Sequence, residues 1–329
     1  MKLPRRQFLH LAAGAAAVPA LSSIAQAQSY PSRPIRLVVP FPPGGAFDTV
    51  ARPWAEQVKP LLGTVVIEDI GGAGSSLGAA AVAHAPPDGY SLLLGGTIPY
   101  VNEALIKSRP LYDPVKDLDP IANVVNAPLG IGINPSLPVH SLKELVAYDK
   151  TNPGKLSYGH VGIGSINHLT GELFKWLTGT SDIVQVPYRG GAPAMADLIS
   201  GQVPIAILAV TGQFLEFHRS GKVRVLAMTG TTRLSAEREI PTVAEEGFPG
   251  LTMGNSIGLF APAGTPRAII EQIAQASRKA LKGPAFQQML IDLGYQPDVN
   301  SDSETFRRSL EEDVAHWTPI VKKLDLKID

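Results

Sequence analysis

Two short glycine-rich segments carry the residue types that could bind a small anion. They are Pro42-Pro43-Gly44-Gly45-Ala46-Phe47-Asp48 and Gly162-Ile163-Gly164-Ser165-Ile166-Asn167-His168. Each follows a short apolar stretch typical of a strand and opens a segment typical of a helix. The first N–H groups of a helix lack internal partners and carry partial positive charge, and glycine lets a ligand approach the backbone. Each segment therefore predicts a site for a carboxylate or phosphate.

Glycine in such a segment can also have a structural role only, which is to permit a tight turn between strand and helix. Neither segment is a nucleotide fingerprint, because Gly-x-Gly-x-x-Gly fails at Gly162 and no Gly-Lys-Ser/Thr follows either segment. The residues alone therefore predict an α/β protein with helix ends suited to anions, and they leave the ligand open.

Four nearby side chains each allow two interpretations. Asp48 could orient bound water or stabilise the first turn of its helix. His168 could contact a ligand or form a structural hydrogen bond. Tyr188 could close over a ligand or lie in the core with its hydroxyl bonded. Arg189 could clamp a carboxylate or extend into solvent.

Catalytic chemistry has little support in the sequence. The chain has no cysteine, and its seven histidines show no His-Glu-x-x-His spacing. His160 and His168 flank the second segment, but no acidic cluster beside them would complete a metal site. We therefore predict that the protein is not an enzyme, and that it has no catalytic residue, metal ion or cofactor.

Alternating strands and helices must position the two glycine segments. The first set is predicted as strands at 35–39, 65–68 and 90–94, with helices at 46–62 and 76–85. A second set begins near Leu129 and ends in a helical tail at 286–293 and 303–324. This alternation predicts parallel sheets covered by helices. Ligands of such sheets lie beyond the carboxyl ends of the strands, where both segments fall.

The first 27 residues are typical of an export signal. Arg5-Arg6-Gln7-Phe8-Leu9 precedes an apolar run at 11–24, and Ala25-Gln26-Ala27 matches the A-x-A cleavage rule. Paired arginines resemble a twin-arginine signal, although an ordinary secretory signal can also begin with basic residues. The apolar run is shorter than the ~20 residues needed to span a bilayer. We expect the segment to be removed and the protein to reach the periplasm.

The remaining chain, 28–329, is long enough for two domains. Loss of Lys2, Arg5 and Arg6 leaves 26 basic against 29 acidic residues, so the composition does not favour nucleic acid as a partner. Without cysteine, the exported chain must rely on its hydrophobic core for stability.

Eight sequence blocks cover essentially the whole chain after the signal: Phe41-Pro42-Pro43-Gly44-Gly45-x-x-Asp48, Ala85-Pro86-Pro87-Asp88-Gly89-Tyr90, Tyr112-Asp113-Pro114-Val115-Lys116-Asp117, Pro153-Gly154-Lys155-Leu156, Gly164-Ser165-x-x-His168, Val186-Pro187-Tyr188-Arg189-Gly190, Ile240-Pro241-Thr242-Val243-Ala244-Glu245 and Ala261-Pro262-Ala263-Gly264-Thr265-Pro266. In this order they resemble the Bug family, the solute receptors of tripartite tricarboxylate transporters.

The resemblance implies an α/β, two-lobed periplasmic binding protein of the Venus-flytrap, type II-like kind, each lobe a sheet flanked by helices. Lobe one would comprise 28–130 plus 251–329, and lobe two 131–250. A small mono- or dicarboxylate would bind between the lobes of a monomer, which delivers it to membrane permease subunits. The implied contacts are Gly44, Gly45, Ala46, Phe47, Asp48, Gly96, Thr97, Gly164, Ser165, His168, Tyr188 and Gly190.

Three departures from the family pattern bear on the ligand. Phe47 occupies a position that is often small or polar, which predicts a narrower or stacking pocket. Pro53 lies within the first helix, where it removes a backbone hydrogen bond and should kink the helix. The segment 207–210 lacks an acidic residue common in relatives, which argues against an ammonium-bearing ligand. Two alternatives stay open: a sensor that presents the carboxylate to a signalling partner, and an exported α/β hydrolase.

Overall fold

The structure is a computed structural model that describes residues 30–326, except for the side chain of Asn102. The predicted export signal, residues 1–27, lies outside the described residues. From Arg33 onward the chain forms one compact unit. It contains two β-sheets, each flanked by helices, as the α/β prediction requires. No helix within the described residues is long and apolar enough to cross a membrane.

The first sheet has six strands in the order β11-β4-β10-β3-β1-β2. Its strands are β1 (Ile35–Val39), β2 (Val65–Asp69), β3 (Ser91–Gly96), β4 (Leu118–Asn126), β10 (Ser256–Pro262) and β11 (Gln296–Pro297). Its helices are α1 (Ala46–Leu62), α2 (Ser76–Ala83), α3 (Thr97–Val101), α8 (Arg267–Leu281), α9 (Pro284–Asp292) and α10 (Ser303–Leu324).

The second sheet has five strands in the order β7-β6-β8-β5-β9. Its strands are β5 (Leu129–Ile133), β6 (Ser157–His160), β7 (Val184–Pro187), β8 (Ile205–Ala209) and β9 (Arg224–Met228). Its helices are α4 (Leu142–Thr151), α5 (Ile166–Thr178), α6 (Gly191–Ser200) and α7 (Gly212–Arg219).

Both sheets are mixed, so the prediction of parallel sheets was wrong in part. β1 pairs parallel to β2 and β3, but β10 runs antiparallel to both β3 and β4. In the second sheet β6 pairs parallel to β7 and β8, while β5 is antiparallel to β8 and β9. In the first sheet β10 and β11 run opposite to the other four strands, and in the second sheet β5 runs opposite to the other four. Both β5 and β10 directly follow a passage of the chain between the sheets.

The chain crosses between the sheets through two adjacent segments. Ala127 and Pro128 join β4 to β5, and 253–255 lead back to β10. The N–H of Ala127 donates to the carbonyl of Asn255 at 2.8 Å, so the two crossings are bonded to each other. The predicted lobe bounds at 130–131 and 250–251 lie close to these crossings and remain a prediction.

Helix α1 positions the first glycine segment rigidly on the first sheet. Its apolar side chains, among them Val50, Trp54 and Val58, are fully buried. The indole N–H of Trp54 donates to the hydroxyl of Ser277 on α8 at 3.0 Å. The helix starts at Ala46 and ends at Leu62, as predicted, and it continues through Pro53.

The C-terminal helix α10 contacts elements of both sheets. Asp302 begins it with a capping box, and its residues Phe306 and Leu310 lie in the core of the first sheet. Near its end, the ammonium of Lys323 lies 3.8 Å from the ring centroid of Trp176 on α5. α10 therefore joins the two halves at a third place, apart from the two crossings.

Asp313 on α10 should make stability depend on pH. Its carboxylate accepts a hydrogen bond from the hydroxyl of Thr97 at 2.6 Å. Burial raises the pKa of Asp313 to about 6, and the charge of Glu312 adds to the increase, whereas the bond from Thr97 opposes it. Because the folded pKa exceeds the unfolded value of about 3.9, this carboxyl lowers the free energy of unfolding as pH rises from about 4 to about 6.

Asp313→Asn should remove this loss of stability. Because one pKa unit corresponds to about 1.36 kcal/mol, the free energy of unfolding at pH 7 should rise by up to about 3 kcal/mol. Urea unfolding at pH 4 and pH 7 provides the measurement. The difference between variant and wild type should grow over this interval. A difference that is the same at both pH values would contradict the assignment.

Candidate functional site

A cleft between the two sheets, here named the central cleft, collects five of the twelve predicted contact residues. Gly44, Gly45, Ala46, Phe47 and Gly190 all line it. Its other walls are mainly apolar and come from both halves of the chain: Phe41, Pro42, Pro43, Ile98, Val161, Asn167, Arg189, Gly191, Ala192, Pro193, Met195, Leu208, Ala209, Thr211, Gln213 and Asn255.

The central cleft has room for a small molecule only. The space in it that is open to the centre of a water molecule is about 80 Å³, which suits a small organic acid. The ring of Phe47 narrows it and lies 4.8 Å from the ring of Phe41, centroid to centroid.

The N-terminus of α1 reaches the central cleft without a capping side chain. Its N-cap residue, Gly45, contributes no side chain to the N–H groups of the first turn. The carboxylate of Asp48 instead accepts from the N–H of Gly44 at 2.8 Å and pairs with Arg52 at 2.7 Å. Asp48 thus holds the loop and has its charge partly neutralised, while the helix end keeps donors and a positive dipole for a ligand.

The hydroxyl of Tyr295 holds the first turn of α1 from behind. It lies 2.6 Å from the hydroxyl of Thr49 and donates to the carbonyl of Ala46 at 3.1 Å. Burial raises the pKa of this phenol, so it stays a neutral donor. The helix end is therefore fixed in place before a ligand arrives.

A second helix N-terminus without a capping side chain enters the central cleft from α6. Its N-cap residue is Gly190, with φ of 108° and no side-chain hydrogen bond. This φ is rare for residues with a Cβ. Gly190 and the first turn of α6 line the same cleft as Gly45 and Ala46 from the chain's other half. The N-terminal ends of two helices, which carry partial positive charge, thus line one small space.

The contacts predicted in the second segment lie outside the central cleft. Gly164, Ser165 and His168 are not among the residues that line the central cleft. Ser165 is fully buried and caps α5 itself, because its hydroxyl accepts from the N–H of His168 at 3.3 Å and donates to the carbonyl of Gly162 at 2.6 Å. The N-terminus of α5 is therefore capped by Ser165 itself, and the uncapped N-terminus of α6 lines the cleft instead.

His168 forms part of a buried histidine pair. Its ring stacks on that of His160 with centroids 4.8 Å apart, and its Nδ1 accepts from the N–H of Gly164 at 3.3 Å. Burial, followed by the charge of the neighbouring His160, lowers the pKa of His168 to about 4. His168 is therefore neutral at ordinary pH and holds the loop that precedes α5.

Tyr188 and Gly162 line a separate opening, here named the side cleft. The hydroxyl of Tyr188 donates to Asp197 at 2.7 Å, and burial, followed by this carboxylate, raises the pKa of Tyr188 to about 12. Arg189 is exposed and borders both clefts, as do Pro42 and Gly190. The structure thus gives Tyr188 a bonded hydroxyl beside the central cleft.

Gly96 and Thr97 lie behind the central cleft, not in its wall. The strand predicted at 90–94 continues to Gly96, and α3 starts directly at Thr97, so no turn follows Leu94. The hydroxyl of Thr97 lies 2.9 Å from that of Ser256 and also bonds Asp313. This network holds the start of β10, next to Asn255.

Two buried amides in the cleft wall escaped the sequence prediction of contacts. Asn167, in the first turn of α5, donates to the carbonyl of Ile207 at 3.0 Å. Asn255 lies on the crossing that leads to β10 and is 1% exposed. Neither belongs to a motif that marks a ligand contact, although Asn167 stands within the second glycine segment.

Gly74-Ser75-Ser76-Leu77-Gly78 has the spacing of a Gly-x-Ser-x-Gly nucleophile motif, which the sequence reading overlooked. Ser76 begins α2 and is fully buried. Its hydroxyl has no hydrogen-bond partner among the described residues, so Ser76 has neither solvent access nor the bonded base that activates a nucleophile. Likewise, no three His, Asp or Glu side chains within 30–326 converge as a metal site.

Comparison with known proteins decides which family these features belong to. The family model described as "Tripartite tricarboxylate transporter family receptor" matches residues 50–326. The chain belongs to this family. The solved structure of the periplasmic binding protein BugD is 35% identical with a TM-score of 0.84, over 91% of this chain and 99% of that one. The predicted Bug-family membership and two-lobed fold are thereby confirmed.

Two further structures of this receptor kind contain carboxylates. MatC from Rhodopseudomonas palustris, with bound malate, is 30% identical with a TM-score of 0.84, over 89% of this chain and all of that one. R. palustris Rpa4515, with adipate, is 32% identical with a TM-score of 0.85, over 91% of this chain and 99% of that one. The tripartite tricarboxylate receptors are periplasmic solute-binding proteins rather than enzymes, as predicted for this chain.

Proposed function

We propose that this protein captures a small mono- or dicarboxylate in the central cleft and delivers it to the membrane permease subunits of a tripartite tricarboxylate transporter. The observation that carries the proposal is the meeting of two helix N-termini, from α1 and α6, without capping side chains at one small cleft. Backbone donors and helix dipoles of this kind stabilise a carboxylate. The malate and adipate of the related structures belong to the same chemical class.

Among the residues proposed from the sequence, Gly44, Gly45, Ala46, Phe47 and Gly190 are the proposed direct contacts, because they line the cleft. The remaining seven would act from outside it. The first glycine segment is supported by Asp48, and the start of β10 by Gly96 and Thr97. The start of α5 is held by Gly164, Ser165 and His168. Tyr188 borders the side cleft. The proposed lobes, 28–130 plus 251–329 and 131–250, would each supply one helix end.

A thermal-shift screen of organic acids tests the binding part of the proposal. Binding to the folded state alone stabilises by about 2.7 kcal/mol at a hundredfold excess over Kd, which corresponds to an increase in Tm on the order of several degrees for a chain of this size. We expect a small carboxylate to give this shift and to be recovered unchanged. A shift with neutral sugars or amines alone, or conversion of the acid, would contradict the proposal.

Uptake of the identified acid tests the delivery part. Cells that carry the permease subunits should take up the labelled acid when this receptor is present and should lose that uptake when it is deleted. A receptor that binds the acid but leaves uptake unaffected would instead support a role as a sensor.

A further inference from the structure

Asn255 is a buried amide with neither of its polar atoms bonded. The side chain is 1% exposed, and both Oδ1 and Nδ2 lack a hydrogen-bond partner. A buried donor and acceptor without hydrogen-bond partners destabilise the folded state. Buried polar groups in proteins are almost always hydrogen-bonded. Asn255 therefore needs an external partner, and it stands in the wall of the central cleft.

Two other buried asparagines among the described residues have bonded amides. The amide of Asn167, in the same cleft wall, donates to Ile207, and that of Asn134 donates to Leu198 and accepts from Ser136. Asn255 differs from these two because both polar atoms of its amide are unbonded. Most of the residues that line the central cleft with it are apolar, including Ile98, Leu208 and Phe47.

The backbone of Asn255 is fixed, so its side chain cannot escape to solvent by a shift of the segment. Its carbonyl accepts from Ala127 on the other crossing at 2.8 Å. The next residue, Ser256, is held through its N–H and hydroxyl by Thr97, at 3.0 and 2.9 Å. These bonds keep Asn255 in the cleft wall, where an occupant of the cleft can supply the missing bonds after a rotation of the side chain.

The two free atoms define the chemistry of that occupant. Nδ2 needs an acceptor, which a carboxylate provides, but Oδ1 needs a donor, which a carboxylate lacks. A hydroxyl or a carboxamide provides both. We infer that the central cleft selects carboxylates that also bear a neutral group able to donate and accept a hydrogen bond, and that Asn255 binds this group. The inference rests on the proposed function and narrows its ligand class.

Matched pairs of acids test the inference by isothermal titration of the full-length mature protein. Malate against succinate and 3-hydroxybutyrate against butyrate differ by one hydroxyl. Succinamate and levulinate form a third pair. The carboxamide of succinamate donates and accepts hydrogen bonds, whereas the methyl ketone of levulinate only accepts, so this pair tests the carboxamide as the first two pairs test the hydroxyl. In at least one pair, the first member should bind about 10-fold to 100-fold more tightly, because its partner leaves the amide unpaired.

Asn255→Leu removes both polar atoms with little change of shape. This variant should bind the two members of the preferred pair within about twofold of each other. Its ligand-free Tm should rise by about 2–4 °C, since an unpaired buried amide is lost. The control, Asn152→Leu, removes an amide that is bonded to Tyr148 outside the cleft. It should keep the selectivity of the wild type without the gain in Tm.

Equal affinities within every pair for the wild-type protein would overturn the inference and indicate that water alone satisfies Asn255. Selectivity that persists in Asn255→Leu would also overturn it, by assigning the recognition to another group. If no acid of any kind binds the wild type, the proposed function itself fails, and this outcome is distinct from the other two.

Discussion

Gly45→Asp should abolish carboxylate binding while the ligand-free protein keeps its Tm. The N-cap conformation of Gly45, with φ of −82° and ψ of 177°, suits any L-residue, and an added Cβ approaches only the carbonyl oxygen of Pro42, at 3.6 Å. Asp is a preferred N-cap residue. Its carboxylate would accept from the N–H groups of α1 that we assign to the ligand, and its charge would repel a second carboxylate.

Loss of two charge-assisted hydrogen bonds, at about 1.5–3 kcal/mol each, predicts at least a 100-fold increase in Kd. Isothermal titration with the acid found by the screen provides the measurement. Gly45→Asn is the matched control, because it caps the helix without the charge and shows whether lost donors suffice. Gly45→Ala leaves the donors free and should retain most of the affinity. Wild-type affinity in Gly45→Asp would remove the N-terminus of α1 from the site.

Gly96→Ala should produce the largest loss of stability of any single methyl addition proposed here. A Cβ at Gly96 would lie 1.8 Å from the carbonyl oxygen of Ser256 and 2.7 Å from its carbonyl carbon. Both atoms belong to backbone at the paired ends of β3 and β10, where Gly96 faces Ile257. The strands must separate to admit the methyl group, because backbone cannot rotate away as a side chain does.

The expected cost is about 3 kcal/mol or more, which lowers Tm by roughly 6–12 °C at about 2–4 °C per kcal/mol. Differential scanning calorimetry of the ligand-free protein measures it. Gly254→Ala, two residues before Ser256, serves as the control, since a Cβ there meets no atom within 4 Å. A Tm for Gly96→Ala close to that of Gly254→Ala would show that the strands tolerate the methyl group and that the predicted clash is absent.

The elements that could be predicted are those whose signals are local. Helix α1 has its predicted bounds because a glycine pair precedes a regular apolar face. Strand β4 was missed because Pro120, Asn123 and Asn126 interrupt its apolar pattern, although most of its residues are buried between neighbouring elements. Strand direction depends on which distant strands pair, as for β10, and no local pattern carries that information.

The residues of the site likewise divide into those with a local sequence signal and those without one. The glycine segment before α1 could be identified because glycine, helix start and strand end are adjacent in sequence. Ser165 is itself a preferred capping residue, so the sequence held the sign that α5 closes its own N-terminus. Asn255 carried no comparable sign. Its proposed role follows from the lack of hydrogen-bond partners for its amide in the folded chain, which only the packing of the two crossings reveals.

The contact between Lys323 and Trp176 gives the molecule an intrinsic optical reporter. Of the three tryptophans, Trp54 and Trp317 are buried in the core, whereas Trp176 is 47% exposed beneath the ammonium of Lys323. Because these two residues come from opposite halves of the fold, a change in their separation would alter the surroundings of this exposed indole. Intrinsic fluorescence would therefore report such a change in the unlabelled protein, and a tag fused directly after α10 would lie close to the same contact.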